Sequence, residues 1–98
     1  MSKRRTSHPH PGKVLLDQFL SPLAISQNAL ARAAGVTPHR INEIVLGKRR
    51  ITADSAIRLG AALGTTGHYW LSLQAEYDLD EAQRAIGRQL SKIERLTS

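Results

Sequence analysis

Apolar residues recur along the chain in short helical groups separated by stop signals, and no stretch alternates as a half-buried strand would. Val14, Leu15, Phe19 and Leu20 form the first group, spaced i, i+1, i+5, i+6, and Pro22 is expected to close it. A second helix is predicted after Ser26, whose hydroxyl can cap the exposed N–H groups. Ile25 before that cap and Leu30 inside the helix make a hydrophobic staple, and Gly35 supplies the positive φ of a sharp exit. The third helix opens on Thr37 as cap, with Pro38 at the first helical position, where its missing N–H costs nothing. Ile41, Ile44 and Val45 give its inward face, and Gly47 stops it. The fourth runs from a Thr52 cap through Ala56, Ile57, Leu59 and Leu63 to Gly64. The fifth starts around Thr66–Gly67 and carries Tyr69, Trp70, Leu71, Leu73 and Tyr77. Asp80 and Gln83 are spaced as a capping box, so a further helix is expected over residues 80–97. In it Leu79, Ala82, Ile86, Ile93 and Leu96 fall at heptad-like spacing, interrupted by Gly87 and Gln89. The fold class is therefore all-α, a five-helix domain with an additional C-terminal helix.

Three regions follow. Residues 1–11 read as a basic, mobile arm with Lys3, Arg4 and Arg5 exposed and Pro9 and Pro11 opposing regular structure, either a solvated tail or a DNA-contacting arm. Residues 12–79 are the helical domain, and residues 80–98 an extension, docked on it or offered to a partner.

Composition narrows the function. A chain of 98 residues can bury one modest core but no large enclosed active site. Aromatics are only 4%, so aliphatic residues and alanine must build that core. Lysine and arginine number 14 against 8 acids, a net charge of +6, which favours a polyanion such as DNA, RNA or an acidic membrane surface. With no cysteine there is neither a disulfide framework nor a thiolate metal site. No apolar run approaches the roughly 20 residues needed to span a bilayer, and the basic, Pro/His-rich start lacks a signal-peptide core. A cytoplasmic protein is expected.

Function concentrates in residues 27–49. A helix-turn-helix needs a small residue where its two helices cross, supplied by Ala31, and a left-handed residue in the turn, supplied by Gly35. Val36, Ile41 and Ile44 pin the second helix on one face, which leaves Pro38, His39, Arg40, Asn42 and Glu43 as candidates to read base edges. Arg40 is the first choice, because a bidentate guanine contact is the commonest specific one; Asn42 suits adenine. Glu43 can accept from cytosine, hold Arg40, or repel other sequences. Gln27 and Thr37 at helix N-termini, with Lys48, Arg49 and Arg50 just beyond the helix, are assigned to phosphate. Solvated surface residues are the plain alternative for each one singly; their clustering around one turn favours double-stranded operator DNA.

This window resembles the helix-turn-helix of the lambda-repressor-like (Xre) family in Gln27, Ala31, Gly35, Ile41 and Ile44. Three longer phrases, HPGKVLLDQFLSPL, RINEIVLGKRRITADSAIRLGAALGTT and YWLSLQAEYDL, resemble HigA-type antitoxins over about residues 9 to 82. The resemblance implies a homodimeric antitoxin that represses its own operon and neutralises a HigB-like, mRNA-cleaving ribonuclease toxin. A stand-alone regulator of the same class is the alternative. Trp70, Leu73 and Tyr77 match the last phrase and serve as either a dimer contact or core packing. The arm before Gly12 and the residues after Asp80 are equal candidates for holding the toxin.

No enzyme is expected: the chain has no HExxH, GxSxG, phosphate-cradling glycine loop or cysteine nucleophile. No cofactor or metal is expected either. His8 and His10 stand beside prolines without further ligands, and His39 with Glu43 lacks a third.

Overall fold

Each helix starts where a side chain can satisfy its first N–H groups, and the first four stop where the backbone turns left-handed. The computed structural model describes residues 7–98, and among them there are five helices and no strand. Helix α1 comprises Pro11–Val14, a π-helical stretch Leu15–Leu20 and a last turn Ser21–Leu23. His10 caps it, its Nδ1 accepting from the Gly12 N–H at 2.9 Å. The π turn has its origin in the i, i+5 spacing of the apolar pairs: a ladder closing on the fifth residue brings Val14–Leu15 and Phe19–Leu20 to the same side. Pro22 does not end the helix; Ala24 does, at φ 55, and Ile25 N–H then bonds the Leu20 carbonyl at 2.9 Å.

Helices α2 (Gln27–Ala34), α3 (Pro38–Val45), α4 (Ala53–Leu63) and α5 (Gly67–Leu90) follow. Ser26, Thr37, Thr52 and Thr66 cap them, each hydroxyl accepting from the N–H three residues on. Gly35, Gly47 and Gly64 take positive φ just past α2, α3 and α4. Beyond α3 this makes a Schellman motif, with Gly47 N–H on the Ile44 carbonyl at 3.0 Å and Lys48 N–H on that of Glu43 at 2.8 Å.

The core joins Leu15 and Leu20 of α1, Leu30 and Ala31 of α2, Ile41 and Ile44 of α3, Ile51, Ala56 and Leu59 around α4, and Trp70 of α5. Ile41 and Ile44 anchor α3, each burial worth about 1.5–3 kcal/mol. Gly12 packs directly on the end of α3: a Cβ there would lie 1.7 Å from the Ile44 carbonyl oxygen. Gln74, 2% exposed, satisfies the loop after α3, accepting from Ile51 N–H at 2.7 Å and donating to Asp78 Oδ1 at 3.0 Å.

Two expectations change here. The helical residues expected after Asp80 are present, but as the outer half of α5 rather than a separate helix. Nothing between Tyr77 and Asp80 breaks the ladder, and Asp80 instead takes the arm: His8 donates its N–H and Nδ1–H to Asp80 Oδ2 at 2.6 and 2.7 Å. Arg84 Nη1 likewise donates to Ser7 Oγ at 3.0 Å. From Ser91 onward the chain leaves the helix. The expected basic arm with Lys3, Arg4 and Arg5 lies outside the described residues. Second, Trp70 is fully buried in its own fold, ringed by Phe19 and Tyr69, with its indole N–H on Thr65 Oγ1 at 2.7 Å. It packs the core and cannot reach a second protomer.

Candidate nucleic-acid interface

Ile41 and Ile44 turn one side of α3 inward, so the opposite side is set by geometry at about 100° per residue. Pro38, His39, Asn42 and Leu46 fall on that outward row, with His39 at 75% side-chain exposure. Asn42 is held from the neighbouring helix: its Nδ2 donates to Gln27 Oε1 at 3.1 Å, leaving its own carbonyl oxygen for a partner. Gln27 therefore serves Asn42 as well as standing at the first turn of α2. Leu46, 57% exposed and four residues after Asn42, is an apolar member of the row that sequence reasoning missed, although the i+4 spacing could have found it.

Arg40 is not on that row. It lies on the flank toward α4, its side chain only 27% exposed. Its Nη2 donates to Asp54 Oδ2 at 2.7 Å and Ser55 Oγ at 2.6 Å. A position 200° round from Pro38 points along the domain rather than away from it, and the acidic first turn of α4 captures the guanidinium there. Arg40, the first choice for base readout, is thus engaged by Asp54 and Ser55 in the chain without DNA. Arg58 completes the cluster, donating Nε to Asp54 at 3.0 Å and Nη1 to the Ala34 and Gly35 carbonyls at 2.9 and 3.2 Å. It thus braces the turn between α2 and α3, a long-range role with no local sequence signal. The bonds from Arg40 and then Arg58 hold the Asp54 carboxyl below its ordinary range.

Glu43 sits at the edge of the outward row with its carboxylate occupied. Oε1 accepts from Arg49 Nε and Nη2 at 2.9 and 2.7 Å, and Oε2 lies 3.2 Å from His39 Nε2. The Arg49 hydrogen bonds, opposed by desolvation and assisted by His39, lower the Glu43 carboxyl from its usual value. Arg50 pairs with Asp78 of α5 at 2.8 Å. Lys48 is exposed and, among the described residues, has no ion-pair partner. Thr37 is spent partly on its own helix, where its hydroxyl accepts from Arg40 N–H at 3.1 Å.

The dimer candidates separate. Trp70 is core; Leu73 is half-buried against that core, and the Tyr77 ring meets His10 edge-on at 5.0 Å. Leu79, Ile86 and Leu90 are the exposed apolar residues farther out on α5. Among the described residues, no group of three His, Cys, Asp or Glu is placed to hold a metal ion and no helix is long and apolar enough to cross a membrane.

Two short helices crossing at a small residue, the second offering a polar row to solvent, define a helix-turn-helix protein. The sequence pattern of the helix-turn-helix family matches residues 22–70. Virulence-associated protein I of Dichelobacter nodosus is 47% identical over 75 residues, 76% of this chain and 69% of its own length. Antitoxin HigA-1 of Vibrio cholerae is 38% identical over 79 residues, 81% of this chain and 74% of its own. The Pseudomonas aeruginosa antitoxin HigA, solved with the higBA promoter, superposes with a TM-score of 0.85 at 45% identity, covering 92% of this chain and 99% of that one. The chain belongs to the helix-turn-helix family and, within it, to the HigA-type antitoxins.

Proposed function

We propose that this chain is the DNA-binding antitoxin of a type II toxin–antitoxin module. It works in the cytoplasm without catalysis or cofactor, represses its own operon as a homodimer, and neutralises a HigB-like, mRNA-cleaving ribonuclease. The observation that carries the DNA reading is the outward row of α3. His39 and Asn42 are exposed on a helix nailed from behind by Ile41 and Ile44, and Gln27 orients the Asn42 amide. The relative solved with promoter DNA shares this fold. In this reading Asn42 takes an adenine, His39 and Pro38 read beside it, and Leu46 covers a thymine methyl. Gln27, Thr37, Lys48, Arg49 and Arg50 serve the phosphates on either side.

One helix reads only a few base pairs, so paired half-sites about 34 Å apart are the geometric remedy. Leu79, Ile86 and Leu90, together with Leu73 and Tyr77, support pairing along α5. Footprinting on the chain's own promoter, alone and after pull-down of its native partner, tests the whole reading. Asn42→Ala is expected to lose protection at adenine positions at a cost of about 1–3 kcal/mol each. Undiminished footprints from Asn42→Ala and His39→Ala together would overturn the assigned face. A pull-down with no small ribonuclease would favour the stand-alone regulator.

A further inference from the structure

The residues flanking the outward row are arranged as a closed network, and that closure bears on how discrimination arises. The Schellman turn at Gly47 reverses the chain and bonds Lys48 N–H to the Glu43 carbonyl, which brings Arg49 back onto the Glu43 side chain. Nε and Nη2 of Arg49 are then consumed by one carboxylate oxygen and His39 by the other. A carboxylate so occupied has little left to accept from a cytosine amine. It does have a charge, placed between the reading row and the basic loop, and it holds a guanidinium that would otherwise be free to take any phosphate.

The geometry points to Glu43 as a positioning residue and internal counter-ion: it holds His39 in the reading row and Arg49 beside it, while withholding Arg49 from indiscriminate phosphate contact. This rests on the DNA reading above. An arginine neutralised by its own protein releases no counter-ion when the domain meets random DNA, so its share of non-specific affinity is suppressed. At the operator, Nη1 and the second Nη2 hydrogen, which Glu43 does not engage, can still donate to a phosphate beside the reading row, so the restraint costs less there. The carboxylate thereby widens the gap between right and wrong sequences while touching neither.

The test uses the full-length chain with its own promoter and a random duplex of equal length, titrated across a series of salt concentrations. Glu43→Gln keeps the size and removes the charge. It is expected to steepen the logarithmic salt slope on random DNA by about 0.9 and to lower the operator-to-random affinity ratio by roughly tenfold. Glu43→Asp, which keeps the charge, is expected to retain the parental slope, and in an Arg49→Ala background both Glu43→Gln effects should vanish. Matched thermal melts confirm that each variant folds. A Glu43→Gln loss confined to one base pair and undiminished by Arg49→Ala would make Glu43 a direct reader and overturn the proposal, as would unchanged slope and ratio. If the parental chain itself failed to prefer its promoter, the DNA reading would fall. A negative Glu43→Gln result alone leaves that reading standing.

Discussion

Gly12→Ala is the smallest change that tests how α1 seats the reading helix. The added Cβ would lie 1.7 Å from the Ile44 carbonyl oxygen, 2.7 Å from its carbon and 3.0 Å from Val45 Cα. Ordinary contact requires about 3.5 Å, so α1 and the end of α3 would have to part by about 2 Å. All three atoms are backbone, and the Ile44 carbonyl already accepts from Gly47 N–H, so no side chain can swing aside. Overpacking of this kind costs about 3 kcal/mol at the upper end of its usual range. Alanine's better helix propensity returns at most about 1 kcal/mol. The net loss of about 2–3 kcal/mol corresponds to a fall in Tm of roughly 8–24 °C for a domain of this size. Far-UV circular dichroism during thermal unfolding measures it. Gly87→Ala is the control, because a Cβ at Gly87 meets nothing within 4 Å and is expected to raise Tm slightly. If Gly12→Ala melted within about 2 °C of the parent, the direct seating of α1 on α3 would be wrong.

Lys48→Ala should weaken binding to all duplexes alike and flatten the salt slope by about 0.9, measured by the same titrations; a sequence-dependent loss would move Lys48 among the base readers. Burial lowers the His10 imidazole from its ordinary value of 6.5, with Asp78 pulling the other way. The unfolded chain therefore takes up its proton first, so stability is full above 6.5 and falls as pH drops below it. His10→Asn, which keeps a capping acceptor for Gly12 N–H, should flatten the decline in Tm between about pH 7 and 5.5; an unchanged decline would place its source elsewhere. Replacing Leu79 and Ile86 together by Gln should yield a folded monomer in analytical ultracentrifugation, and a persisting dimer would shift pairing away from outer α5.

The helix limits were legible because they are local chemistry. Ser26, Thr37, Thr52 and Thr66 announce starts, and Gly35, Gly47 and Gly64 announce stops, within a few residues of the backbone they govern. The outward row of α3 was legible too, since its position is dictated by Ile41 and Ile44. The setting of Arg40 was not legible, because it depends on Asp54 and Ser55, fourteen and fifteen residues away on another helix. The burial of Trp70 likewise depends on Phe19 arriving from α1. Asp80 and Gln83 carry a start signature, but the same pair sits comfortably inside a helix when nothing nearby breaks it. The arm against α5 rests on His8 and Asp80, which no periodicity connects.

The wide turn at Leu15–Leu20 has a consequence for how this domain tolerates changes in length. It stores one surplus residue within a helix rather than in a connecting segment. Excising a single position there would restore an ordinary four-residue ladder and still leave both greasy pairs facing inward. Small insertions and deletions among cousins of this chain should therefore collect in that stretch, absorbed as a change of pitch, with the groove-facing helix undisturbed.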